Sequence, residues 1–425
     1  MGRTARDNRD LPHPRPVQKI QLSEEHIGRR LIAAVIVLVI GGAALAYAFS
    51  QLMSPEAGWQ PIEASTAQGA NCGDEFVFLY ELGAGGTSVA AEKRAVSALY
   101  TDTCQKLFQL FHTVESFEGV TNLRDLSLHP NETLTVDDML YRAFETVQRY
   151  GDRTVYLGPV YARYGDLFAC TDDAQLVDFD PYLSDEVRKE YGAVAAFACD
   201  PQAIDLRLLG NNQVCLYVSE EYLAYAQQEG IERFLDFGWL KNAFIADEIA
   251  QAMTAGGFTH GSVSSFDGFN RNLDNRGLMG YGQNVYDFAG GKVYQAAVME
   301  YQGPMSIVYL RDYPINDQDE WRLYRLKNGQ VRTSYLDPAD GLSKSAAHDL
   351  ICYSADIGCA GIALQVAPAY VAEGLDTGML ARLAGQGIQS VYCSDRVVYG
   401  TDPALKLSNL YGGDGVSYTA SIAGK

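Results

Sequence analysis

The chain has 425 residues, 47% of them hydrophobic and 20% charged, with a formal net charge of −20. That length and composition support one large or two medium globular bodies and exclude a chain that is disordered throughout. The acidic balance excludes nucleic acid as a partner, because the bulk of the molecule repels phosphate backbones.

Residues 1–30 form a polar tail with Pro12, Pro14 and Pro16, expected to be disordered. Seven basic and four acidic side chains give this tail +3, which leaves −23 for the remainder. Leu31 to Phe49, LIAAVIVLVIGGAALAYAF, is an uncharged run of 19 residues. As a helix it spans roughly 28 Å, about one bilayer hydrocarbon core. Arg29 and Arg30 precede it and Glu56 and Glu63 follow. The positive-inside rule therefore places the N-terminus in the cytoplasm and the acidic body outside. The rival reading is a cleaved signal peptide, since Ala46-Tyr47-Ala48 resembles its cleavage site. The long polar region ahead of the run, and the length of the run itself, favour an uncleaved single-pass anchor in the cell membrane. Residues 50–75 then read as a linker, 76–400 as the folded body and 401–425 as a C-terminal tail.

The body opens with EFVFLYELG, a strand over Glu75 to Gly83. Val89, Val96, Leu99, Cys104, Leu107, Phe108 and Phe111 recur at mostly three- and four-residue steps, which predicts an amphipathic helix. A second helix is predicted from Val136 to Tyr150 with Thr135 as N-cap. AIDLRLLGNNQVCLYVS reads as a hairpin turning at Gly210-Asn211-Asn212. Phe244, Ile245, Ile249, Ala252 and Met253 share one helical face that Gly256-Gly257 ends. KVYQAAVMEY and SIVYLRDY are predicted strands, Val366 to Leu383 is partly helical, and IQSVYCSDRVVYG is a strand pair. The mixture lacks a regular βαβ repeat, so the fold class is α+β, or mixed α/β. The eight cysteines contain no CxxC and no zinc-like spacing; they read as buried small hydrophobes, with some disulfide pairing left open.

DFGWLKNAFIAD, Asp236 to Asp247, matches D-x-G-G-I-A-K-G-Y-A-x-D over twelve positions without a gap. It keeps Asp236, Gly238 and Asp247, has Trp239 for the second glycine, Lys241 one place early and Asn242 at the lysine position. EGVTNLRDL, with Gly119, Asn122 and Leu123, matches E-G-x-x-N-L, and LGPVYARY carries Gly158 and Val160 of a G-x-V segment. VYLRDY keeps Asp312 and Tyr313 of V-T-S-G-D-Y. TSYLDPADG keeps Asp337, Pro338 and Gly341 of H-H-I-I-D-P-x-T-G, with Thr333 and Ser334 for the histidines. In this order, over residues 76–400, the segments resemble the ApbE family, the FAD:protein FMN transferases. The resemblance implies an ApbE-like fold on the outer side of a bacterial membrane. It also implies cleavage of FAD, with Mg²⁺, to attach FMN through a phosphoester to a Thr or Ser of another protein. The flavin-nucleotide residues it implies are Asn122, Asp236, Gly238, Lys241, Asp312, Tyr313, Asp337 and Pro338. For Asp236, Gly238 and Asp337-Pro338, plain turn building and helix capping is the competing reading.

The departures bear on chemistry. Where the family has D-S-G-L-A-D-A-L-S-T-A-L-F, this chain has DIGCAGIALQVAP, with Gly361 at the metal carboxylate and Gln365 at the threonine. Mg²⁺ wants oxygen ligands and glycine offers no side chain; Asp356 is the metal candidate if the register slides. Phe266 and Asp267 stand near the family's glycine pair, where Phe266 would obstruct a phosphate. The expectation is a catalytically degenerate, membrane-anchored relative that binds flavin or an envelope protein, with FAD as the ligand and Mg²⁺ not held. The alternative is an active Mg-dependent transferase that flavinylates an envelope protein.

Overall fold

The computed structural model describes residues 56–67, 69–413 and 415–424. The expected membrane anchor, Leu31 to Phe49, lies outside the described residues. Among the described residues no helix is long and apolar enough to cross a membrane.

The class is α+β, as the sequence predicts. A nine-stranded sheet takes its strands in chain order: β1 (Gly58–Ile62), β2 (Phe76–Leu82), β3 (Gly261–Ser265), β4 (Phe269–Asn272), β5 (Met305–Arg311), β6 (Asp349–Ser354), β7 (Gln389–Ser394), β8 (Val397–Gly400) and β9 (Thr419–Ile422). Every neighbour pair is antiparallel except β8 with β9. The sheet is therefore wider than residues 76–400. The expected linker supplies edge strand β1, and the expected tail supplies edge strand β9, each pairing with an otherwise open sheet edge.

Strands β5 and β6 are buried on both faces. Val308 and Leu310 belong to the larger core under the helices, while Ile307 and Tyr309 belong to a smaller core on the opposite face. This is the period-two alternation of a strand. Full burial of each such side chain contributes about 1.5–3 kcal/mol. The smaller core is closed by a three-stranded sheet of Lys406–Ser408, Lys292–Gln302 and Gly280–Ala289, through Val285, Ala297 and Met299.

Between β2 and β3 the chain inserts most of its helices: α1 (Val89–Leu110), α2 (Leu123–Leu128), α3 (Asp138–Tyr150), α4 (Gly158–Tyr164), α5 (Asp185–Cys199), α6 (Glu220–Glu229) and α7 (Lys241–Ala255). Helix α1 buries Val96, Cys104 and Leu107 of the predicted stripe, with Tyr100 and Leu110 beside them, while Val89, Leu99 and Phe108 are half-buried; Ser88 caps it. Helix α3 starts later than expected. Asp137 is its N-cap, and Thr135 instead ends a short strand paired with Gln213–Val218. The hairpin turns at Asn211 and Asn212, both with positive φ, the conformation a tight two-residue hairpin requires. The predicted helical stretch after Val366 is two helices, α8 (Cys359–Tyr370) and α9 (Thr377–Ala384). All eight cysteines are free thiols.

Helix α8 is rich in Ala and Gly, buried, and packed against α7. Its own N-cap, Gly358, offers no side chain. Asp247 of α7 takes the role, accepting from the Cys359 amide at 2.8 Å and the Ala360 amide at 2.9 Å. Arg271 of β4 pairs with the same carboxylate at 2.6 Å. A Cβ on Gly358 would stand 2.4 Å from that carboxylate, so the close approach requires glycine.

Candidate functional site

A cavity of about 720 Å³ opens where β2 begins, where β3 turns into β4 and where α7 starts. Its floor is the Asp236–Asn242 segment. Phe237 is followed by a single 3₁₀ turn, Gly238–Leu240, which runs directly into α7. Asp236 builds that turn by accepting from the Gly238 amide at 2.8 Å and from Arg233 at 3.4 Å. Burial pushes the Asp236 carboxyl up from its ordinary value, with the amide and Arg233 opposing. Gly238 has φ +51°, and a Cβ there would lie 2.1 Å from Tyr161 Cζ. The Tyr161 ring on α4 thus packs onto bare backbone.

The two cations of the cleft, Lys241 and Arg322, are already paired. Lys241 Nζ bonds Glu75 at 2.8 Å. Burial works against its charge, but Glu75 outweighs it and the ammonium is held above the ordinary lysine value. Asn242 Nδ2 donates to both Glu75 and Asp267, each at 3.0 Å. Burial pushes the Asp267 carboxyl up, with Arg322 pulling the other way. Arg322 is bound to the buried Asp319 at 2.9 Å and to Tyr335 at 3.1 Å. Phe266 lines the cavity, its carbonyl accepting from Arg311 at 3.2 Å. Trp321 sits at the rim, 77% exposed.

Five buried polar atoms in this wall have no hydrogen-bond partner: Tyr161 Oη, Tyr164 Oη, Trp239 Nε1, Asn242 Oδ1 and Asp267 Oδ1. Because both acceptors of Asn242 claim its Nδ2, the carbonyl end is the one left over. Each such atom costs about 1–3 kcal/mol unless something arrives to bond it.

Of the sequence-predicted residues, Asp236, Gly238 and Lys241 line this cavity together, and the other five cofactor candidates do not. Asn122 is fully buried as the N-cap of α2, in a capping box with Asp125. Asp312 bonds His348 Nδ1 at 2.9 Å, and Tyr313 is enclosed, bonded to Tyr309 at 2.8 Å and stacked on Phe288. Asp337 accepts from the Ala339 amide and from Lys344, and the Pro338 carbonyl accepts from Cys199, so this turn packs on α5 away from the cleft. Turn building is the role the structure gives Asp337 and Pro338. The neighbouring Ser334, at a family histidine position, does reach the cleft.

Sequence reasoning missed Glu75, Tyr161 and Arg322. Glu75 carried a signal, since a displaced Lys241 needs a counter-charge. Tyr161 carried none, because only the fold brings α4 over Gly238.

Asp356 is exposed and lines a different cavity, of about 350 Å³, with Arg142, Asp247 and Glu248. Those partners are engaged: Arg142 with Glu248 and Asp138, Asp247 with α8 and Arg271. A Cβ at Gly361 would meet Ile357 Cγ2 at 2.9 Å and Tyr150 Oη at 3.2 Å, and Gln365 bonds the Gly361 carbonyl at 2.9 Å. Among the described residues no group of three His, Cys, Asp or Glu side chains is arranged to hold a metal. The residues at the expected position do not fit Mg²⁺.

The molecule is similar to the crystal structure of the ApbE protein from Thermotoga maritima, with a TM-score of 0.54 at 13% identity, covering 83% of this chain and 97% of that one. It is similar to the flavin transferase ApbE from Vibrio cholerae, with a TM-score of 0.50 at 16% identity, covering 78% and 92%. A variant of the Vibrio cholerae protein gives 0.51 at 15% identity, covering 83% and 98%. The fold is the ApbE fold. No protein-family model matches the sequence, and no curated protein shows significant similarity to it. On the ApbE fold this chain is divergent.

Proposed function

We propose that the chain is a catalytically degenerate ApbE-like protein, anchored in the cell membrane by Leu31 to Phe49 with its body outside, that keeps the cleft as a flavin-binding site. One observation carries this reading: Asn242 occupies the motif's lysine position and is locked between Glu75 and Asp267. Transfer of a phosphate-bearing group needs fixed positive charge against the charge that develops as its bond breaks. In this cleft Lys241 is neutralised by Glu75, and the residues at the metal position do not fit Mg²⁺. Each missing electrostatic group costs on the order of a hundred- to a thousand-fold in rate. Two losses, adding only partly, cost on the order of ten thousand-fold. The five unpartnered polar atoms in the same wall support retained ligand binding.

The test is incubation of the full-length protein with FAD, Mg²⁺ and an acceptor peptide or envelope protein bearing the family's Thr/Ser motif, read as covalent flavin fluorescence on a gel. No covalent flavin is expected. Turnover abolished by Asp356→Ala would establish the active transferase instead.

A further inference from the structure

The unpartnered atoms of the cleft differ in kind. Tyr161 Oη, Tyr164 Oη and Trp239 Nε1 are left as donors, and Asn242 Oδ1 and Asp267 Oδ1 as acceptors. Asn242 and Trp239 are each 6% exposed, so neither is satisfied by bulk water. An organic cation would use the acceptors and leave the indole N–H and both tyrosine hydroxyls stranded. A neutral heteroaromatic with a carbonyl–N–H–carbonyl edge uses both kinds, donors for its two carbonyls and an acceptor for its N–H, and this wall supplies both. The flavin ring carries such an edge, and Trp239, Tyr161, Phe168 and Phe266 give its faces aromatic surroundings.

The charges select further. Four carboxylates line the cavity, Asp74, Glu75, Asp236 and Asp267, against two cations, Lys241 and Arg322, both already in ion pairs or salt-bridged hydrogen bonds. A phosphate placed here would face carboxylates with no free cation to receive it, a repulsion that is largest at low salt. Phe266 adds a side chain where close backbone approach to a phosphate would be needed.

We propose that the cleft binds the phosphate-free flavin, a riboflavin-type ligand, and discriminates against FMN and FAD. This rests on the flavin reading given above. The test is titration of the full-length protein in detergent or nanodiscs with riboflavin, FMN and FAD, followed by flavin fluorescence at low and high salt. Riboflavin is expected to bind at least about tenfold more tightly than either phosphorylated form at low salt, with the gap narrowing as salt screens the carboxylates. Glu75→Gln, which frees Lys241, should narrow the gap. Asp74→Asn, a change at an exposed residue that makes no demand on folding, should narrow it less. FMN or FAD binding as tightly as riboflavin would overturn the selectivity while leaving the flavin reading intact. Failure of all three to bind would overturn the flavin reading itself.

Discussion

Two cavities of the molecule treat their polar groups in opposite ways. Around Asp356, carboxylates and amides are matched within the protein: Asp247 caps α8 and holds Arg271, and Glu248 holds Arg142. Around Asp236–Asn242, the cations are paired but five polar atoms are left without partners. A saturated wall stabilises the fold and asks nothing of a ligand. An unsaturated wall costs stability, and that cost is offset only when a ligand supplies the missing bonds. The resemblance points to both regions as one site, yet only the second keeps the features of a binding site.

The largest effect should come from breaking the saturated region. Asp247→Ala strands two helix N-terminal amides and Arg271, and should lower unfolding free energy by about 3 kcal/mol. Denaturant unfolding checks this, and a loss near zero would mean that α8 does not depend on its borrowed cap. Gly238→Ala attacks the cleft instead. The left-handed φ costs about 1 kcal/mol for alanine, and the displaced Tyr161 ring adds about as much again. Thermal melts should show a loss of about 2 kcal/mol, and flavin binding should disappear with the ring's movement. A variant that binds flavin normally would separate Gly238 from the site.

A smaller effect sharpens the contrast at the surface. The hydrogen bond to Asp312 holds His348 above its ordinary value of 6.5. A histidine raised in the folded state contributes stability that is complete below the unfolded value and is lost as pH climbs through the folded one. The stability gap between wild type and His348→Gln should therefore shrink between about pH 6 and about pH 8. The imidazole is half exposed, so the gap should stay below about 1 kcal/mol. A gap that widens with pH would reverse the assignment.

Much of the fold was legible because its signals are local. The stripe from Val96 to Leu107, the Asn211-Asn212 turn and the alternation in β5 each dictate an element from neighbouring residues. The borders of the body were not legible. Gly58–Ile62 and Thr419–Ile422 are ordered by pairing with an existing sheet edge, and a short polar strand carries little of that in its own sequence. The site divided along similar lines. Asp236, Gly238 and Lys241 lie within one segment, so sequence order placed them together. Asp337-Pro338 matched the same pattern, but Asp-Pro turn chemistry serves a surface turn equally well, and here it does. Glu75 and Tyr161 come from distant segments, one at the start of β2 and one on α4, and only the tertiary fold brings them to α7.

The central claim is that the unpartnered groups of the cleft are held for a ligand. Tyr161→Phe tests it directly, because it removes one unpartnered hydroxyl and little else. Tyr222→Phe, which removes an unpartnered buried hydroxyl remote from the cleft, is the control. Both variants should be as stable as wild type or more so without ligand, by up to about 1 kcal/mol, since neither hydroxyl is bonded. Only Tyr161→Phe should weaken riboflavin binding, by about tenfold. Equal riboflavin affinity in wild type, Tyr161→Phe and Tyr222→Phe would contradict the account.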